Sequence, residues 1–291
     1  MTRNTRIARV DTAEAAQSTL SHVLLAVTLA IICALGADAQ SFAGSHAKIA
    51  LVAENGTLKP GQTASIGLFF DLEQGWHIYW VNPGDSGEAP RVQWNLPKGF
   101  RAGEIRWPVP VRLVTGSVID YGYQGRVLLA VPLQVPADYN PSATAKLAAD
   151  VKYLICREVC IPAKAHAELL LPPAKGATPD VAATHQLFED AQGHLPKPLP
   201  AGAKAQVRDD GKTFVLSLET GSPEAKASFF PLEEDQLDND VPQSVTSSRT
   251  GIQITLKKSD QLSKPISVLK GVVVFSPDRA YEVAAPIAAR H

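Results

Sequence analysis

Turn-forming residues interrupt this chain so often that few architectures remain open to it. Its 291 residues include 20 glycines and 22 prolines. They cluster between short runs, at Lys59-Pro60-Gly61, Asn82-Pro83-Gly84-Asp85-Ser86-Gly87, Leu96-Pro97-Lys98-Gly99 and Asn140-Pro141-Ser142. Proline removes a backbone donor and glycine lets the chain reverse, so long helices cannot persist where such clusters recur. The runs between them have strand length: 64–72, 76–81, 92–94, 104–107, 126–135, 146–155 and 163–171. Seven or more short strands at this spacing indicate an all-β chain whose first part is an immunoglobulin-like β-sandwich.

The first 39 residues read differently. Arg3, Arg6 and Arg9 make a positive stretch, residues 23–35 an apolar core, and Ala37-Asp38-Ala39 a small-residue cleavage site. This is the pattern of an exported chain's signal peptide, cut near Ala39, with an uncleaved anchor as the competing reading. Ile32 before Cys33 is not the small residue that a lipid-attachment signal wants. Beyond the leader no stretch is apolar enough to span a bilayer. A soluble exported protein is expected. The formal net charge of -1 gives no reason to expect a nucleic-acid partner.

Three segments follow the leader. Residues 45–175 hold the sandwich. Residues 176–200 hold a short helix, expected over 179–192, and a stiff Pro196-Lys197-Pro198-Leu199-Pro200 spacer. Val181, Ala182, Leu187, Phe188 and Ala191 form the helix's apolar stripe. Residues 201–291 form a second, smaller β domain, in which Phe214, Leu216 and Leu218 alternate, as do Ile252, Ile254 and Leu256. No chemistry is evident there.

Without its leader the chain keeps two cysteines, Cys156 and Cys160. Before them, Leu147, Ala149, Val151, Tyr153 and Ile155 share one face of a strand by period two. After them, Ala163, Ala165, Ala167, Leu169 and Leu171 do the same, so the two runs are expected to pair as a hairpin with residues 156–162 at its tip. A hairpin tip can bring two Cα atoms within the reach of a disulfide. The bond would close a very short loop and stabilise the fold little, which favours a bond that is made and broken. Arg157, Lys152 and Lys164 are expected near the sulfurs, favouring a thiolate, with Glu158 opposing them. On residue types alone a structural staple, redox exchange and metal binding all stay open.

Two longer motifs narrow the choice. Gly75-Trp76-His77-Ile78-Tyr79-Trp80-Val81-Asn82-Pro83-Gly84-Asp85-Ser86-Gly87 and Tyr153-Leu154-Ile155-Cys156-Arg157-Glu158-Val159-Cys160-Ile161-Pro162 resemble the periplasmic N-terminal domain of the DsbD/ScsB transmembrane thiol reductases, closest to the ScsB type. The resemblance is strong over residues 45–175 and weaker beyond. It implies an immunoglobulin-like redox domain whose pair, here Cys156 and Cys160, takes electrons from a membrane-embedded partner or thioredoxin-like domain and then reduces periplasmic disulfide proteins, with thioredoxin-like periplasmic proteins as partners. It associates the chain with cytochrome c biogenesis and copper tolerance. It needs no cofactor and implies a loop that covers the pair when no partner is bound. The family's proteins continue into a membrane domain and a thioredoxin-like domain, both absent here, so a separate membrane electron donor is expected. The spacing between the DsbD cysteines is also wider than three residues. The chain is therefore expected to be a protein-disulfide reductase or a component of a redox relay.

Several further residues are candidates around the pair. Asn82, Asp85 and Ser86 lie in a polar loop that is either the cover or an ordinary turn. Tyr121 and Tyr123 either shield the sulfurs or pack as core aromatics. His77 reads as a satisfied histidine, and the four tryptophans as core packing. His166 reads as a solvated strand residue that can alternatively complete a Cu(I) site with Cys156 and Cys160. Cu(I) handling is the second functional reading. A non-catalytic sandwich module with a structural disulfide is the third.

Overall fold

The computed structural model describes residues 46–173 and 181–288. The expected signal peptide, Cys33, the cleavage site near Ala39 and the boundary at 175/176 lie outside the described residues. Among those described, no helix is long and apolar enough to cross a membrane.

Two facing antiparallel sheets make the first region. One contains β1 (Ala47–Ala53), β2 (Thr63–Leu72), β5 (Arg101–Ala102) and β8 (Arg126–Gln134), in the order β1-β2-β8-β5. The other contains β3 (His77–Gly84), β6 (Val111–Thr115), β7 (Val118–Gln124), β9 (Ala145–Cys156) and β10 (Cys160–Leu171), in the order β10-β9-β3-β7-β6. A further strand, β4 (Arg91–Asn95), pairs with β9. Period two explains the core between the sheets. Ile66, Leu68 and Phe70 of β2, Leu129, Val131 and Leu133 of β8, and Leu147, Ala149, Val151 and Ile155 of β9 are all buried in one cluster. This is an immunoglobulin-like sandwich.

Among the described residues one helix, α1 (Val181–Gly193), buries Phe188 and packs against β8. The remaining strands are β11 (Lys197–Pro198), β12 (Lys204–Asp209), β13 (Thr213–Glu219), β14 (Ser228–Pro231), β15 (Ser244–Ser248), β16 (Gly251–Lys257), β17 (Val268–Ser276) and β18 (Arg279–Ala288). They form one sheet, β14-β17-β18-β12-β13-β16-β15, with β11 on β18. Its two halves enclose their own core, with Phe214, Leu216, Ile252 and Ile254 meeting Phe229, Leu269, Val273 and Val283.

Strand alternation also fastens the two regions together. Neighbouring side chains on β14 point to opposite faces. Phe229 enters the second core, and Phe230 enters the first. There the Phe230 ring meets Tyr121 at 5.1 Å and Trp80 at 6.4 Å between centroids, edge to face in both cases.

Candidate active site

The β9–β10 hairpin holds twelve consecutive cross-strand pairs, from Leu171 opposite Ala145 to Cys160 opposite Cys156. Strand structure thus reaches both cysteines, and the loop is reduced to Arg157, Glu158 and Val159. Pro162 sits inside β10, where an edge strand tolerates its missing donor. Cys156 and Cys160 form a disulfide with their Cα atoms 4.2 Å apart. The two sulfurs differ in access: Cys156 is 2% exposed, whereas Cys160 is exposed.

The expected lysines are not at the sulfurs. Lys152 and Lys164 face each other four residues down the hairpin, about 13 Å away at 3.3 Å per residue. Arg157 adjoins the pair, but its guanidinium lies over the Trp76 ring at 5.2 Å.

The group that touches the sulfurs is one that sequence reasoning missed. The Tyr79 hydroxyl donates to Cys156 Sγ at 3.0 Å and lies 3.3 Å from Cys160 Sγ. β3 is buried on both faces: Ile78 and Trp80 enter the core, while His77 and Tyr79 face the hairpin side. His77 is directly opposite Cys156 in the sheet, so it shares that face. Its ring meets Tyr79 edge to face at 5.2 Å. His77 is 5% exposed, and its Nε2 has no hydrogen-bond partner, so burial pushes its pKa down. The sequence reading of His77 as satisfied does not hold at that nitrogen. A histidine two residues before a tyrosine in a strand was the available signal, because period two puts both on one face.

Behind Tyr79 lies a small acidic network. Ser86 donates to Asp120 from its backbone N–H and from its hydroxyl, both at 3.0 Å. Asp120 is 5% exposed, and burial raises its carboxyl pKa against the pull of the Ser86 hydrogen bonds. Burial likewise raises the Tyr79 phenol; its contact with Ser86 pulls it down, and the Asp120 charge adds to the rise.

The other candidate residues have different employment. Asn82 is buried and donates its amide to Pro231 O at 2.8 Å and Glu233 O at 3.1 Å. Asp85 accepts from Ile119 N–H at 2.7 Å and from the Asn239 amide at 2.8 Å. The Asn82–Gly87 segment therefore lies over the Tyr79 ring and against residues 231–239. Tyr121 donates to Asn239 Oδ1 at 2.7 Å and Tyr123 to Pro108 O at 2.8 Å, so neither spends its hydroxyl on a sulfur. His166 stands opposite Asp150, with its ring nitrogens 2.6 Å from Asp150 and 3.1 Å from Glu168. It is six residues along β10 from Cys160, about 20 Å away, so the Cys156, Cys160 and His166 set is not brought together. Among the described residues no group of three or more His, Cys, Asp or Glu is placed to hold a metal ion.

Residues 49–172 match the family described as "Thiol:disulfide interchange protein DsbD, N-terminal". Among curated proteins none matches. Among solved structures, the N-terminal periplasmic domain of ScsB from Proteus mirabilis matches with a TM-score of 0.60 at 19% identity, covering 85% of this chain and 95% of that one. That likeness shows the fold, and its coverage takes in the second β region as well as the sandwich. The periplasmic chaperone SfaE has a TM-score of 0.21 at 11% identity, covering 83% of this chain and 100% of that one. Spo0M, a sporulation control protein from Bacillus subtilis, has 0.21 at 10%, covering 79% of each.

Proposed function

Residues 49–172 are a thiol–disulfide interchange domain of the DsbD N-terminal family, and from that premise we propose that the chain relays electrons in the periplasm through Cys156 and Cys160. Its partners are thioredoxin-like proteins. The observation that carries this reading is the asymmetry of the pair: an exposed Cys160, a buried Cys156, and one hydroxyl at both sulfurs.

The asymmetry assigns the steps. A donor thiolate attacks Cys160 Sγ, forming the donor–Cys160 disulfide and breaking the Cys156–Cys160 bond. Cys156 leaves as a thiolate, which the Tyr79 hydroxyl stabilises with a charge-assisted hydrogen bond. The donor's second thiolate then attacks its own mixed-disulfide sulfur and releases Cys160 as a thiolate. The donor is oxidised by two electrons, this pair is reduced by two, and the thiolates equilibrate with solvent protons. The reverse sequence, begun by the Cys160 thiolate on an oxidised partner, returns the pair to the disulfide.

Trapping tests it. Cys156→Ser should leave Cys160 to form a stable mixed disulfide with an oxidised thioredoxin-like protein, detected by mass. Cys160→Ser should form none, and both variants should lose turnover completely while keeping the fold. Trapping through Cys156 instead, or turnover in either variant, would reject the mechanism.

A further inference from the structure

We infer that the second β region positions the hydroxyl partner of the disulfide: Asn82, Asp85 and Asn239 form a brace through which residues 231–239 hold the 84–87 loop against Tyr79. The inference rests on the proposed exchange chemistry and gives the second region a part in it.

The loop is the wall behind the Tyr79 ring. Gly87 has φ +87°, and a Cβ there would lie 2.1 Å from Tyr79 Cζ. Ser86 interacts with the phenol and holds Asp120. Where this loop goes, the ring must follow, and a hydrogen bond to sulfur weakens steeply once its geometry is lost.

Only part of what holds the loop comes from the sandwich. Asp120 and the Ile119 N–H grip it from β7. The rest comes from about 150 residues downstream. Asn82 is 2% exposed and commits its whole amide: the nitrogen to Pro231 O and Glu233 O, the oxygen to Gly84 N–H at 3.0 Å. Asn239 also commits both ends, donating to Asp85 and accepting from the Tyr121 hydroxyl. Its carbonyl takes a hydrogen bond from Arg112.

The segment supplying these groups is itself anchored at both ends. Phe230 is buried in the sandwich core, and Leu237 in the core of the second region. A polar path therefore runs from Asn239 through Asp85 and the adjoining Ser86 to Tyr79 and the sulfurs. Asn82 and Asn239 are positioning residues, because they touch neither sulfur.

The reduced protein, with both regions present, reports on the brace through alkylation of Cys160 by iodoacetamide at fixed pH. Tyr79→Phe is expected to slow that reaction about fivefold, because the hydroxyl 3.3 Å from Cys160 Sγ can turn to donate to that sulfur when it is the thiolate. Asn239→Ala, which changes no charge, is expected to slow it about twofold to threefold. In the double variant Asn239→Ala should add almost nothing to Tyr79→Phe, since both act through the same hydroxyl. Asn82→Ala is a second charge-neutral cut and should behave like Asn239→Ala.

Arg279→Ala separates positioning from general weakening. It breaks the ion pair with Glu224 inside the second region, outside the 231–239 segment, and should leave the alkylation rate unchanged. Equal slowing by Arg279→Ala, full additivity in the double variant, or an unchanged rate in both asparagine variants would overturn the brace. Alkylation needs no protein partner. A wild-type chain that fails to exchange, yet shows these rate changes, refutes the proposed function and leaves the brace standing.

Discussion

The hairpin that carries the sulfurs and the loop that backs Tyr79 serve one site, yet they are held by opposite means. The hairpin is local: its disulfide joins residues four apart, and its register is fixed by a twelve-pair ladder. The loop is non-local. Its partners lie 34 residues away at Asp120, 149 away at Pro231 and 154 away at Asn239. Bond-making atoms are thus placed by the most robust element of the sheet, while the group that sets their reactivity is placed by tertiary contacts. Damage to those contacts should change how the disulfide reacts before it changes whether the disulfide forms.

The largest test of that division is Phe230→Ala. The ring is buried against Trp80 and Tyr121 where the second region meets the sandwich. Its loss should cost about 3–5 kcal/mol. Calorimetry should then show two melting transitions where the wild type shows one, with the disulfide still formed by thiol trapping. Persistence of one transition would mean that the regions are coupled elsewhere. Gly87→Ala comes next and attacks the loop directly. A methyl group there meets the Tyr79 ring, on a backbone with positive φ. Destabilisation of about 1–3 kcal/mol in urea melts is expected. It should be accompanied by slower alkylation of Cys160, an effect that a purely local strain would not produce.

The same division decided what could be read from the sequence. The hairpin was legible because period two at Leu147, Ala149, Val151, Tyr153 and Ile155 matches a half-buried strand, and all five are buried. Its tip was drawn too long: the ladder runs on to Cys160, and edge position accommodates Pro162 within it. The β6–β7 hairpin was missed. Arg112, Thr115, Gly116 and Ser117 hide its alternation, and its buried residues include Asp120. β15 was missed likewise, because Ser244–Ser248 contains one apolar residue among five. The family motif located the cysteines and spanned the residues around Tyr79 without distinguishing that hydroxyl. Nothing near Asn82 in sequence announces a partner in another region, because that contact exists only once both regions have folded.

His77 gives the smallest expected effect and the sharpest one on the hairpin side of the comparison. It faces Cys156 and Gln124 across the sheet and Tyr79 along its own strand, buried and with Nε2 unpartnered. Burial holds its pKa below the ordinary 6.5. Well above pH 6.5 the ring is neutral in both folded and unfolded chains and contributes no pH dependence. Below that, the unfolded chain takes up a proton that the folded chain refuses, so stability falls as pH falls, until the folded ring also protonates. The slope from one such group is at most about 1.4 kcal/mol per pH unit. His166 runs the other way. Hydrogen bonds to Asp150 and Glu168 raise its pKa, so its contribution is present below pH 6.5 and lost as pH rises through the raised value. That ring is exposed and screened, which leaves His77 to dominate the acid side. His77→Phe keeps an aromatic ring beside Tyr79 and removes the titration. Urea melts from pH 5 to 7.5 should show the wild type losing stability towards acid and the variant losing less; parallel profiles would mean that the acid sensitivity belongs to another group, and not to Asp120, whose raised pKa works in the opposite direction.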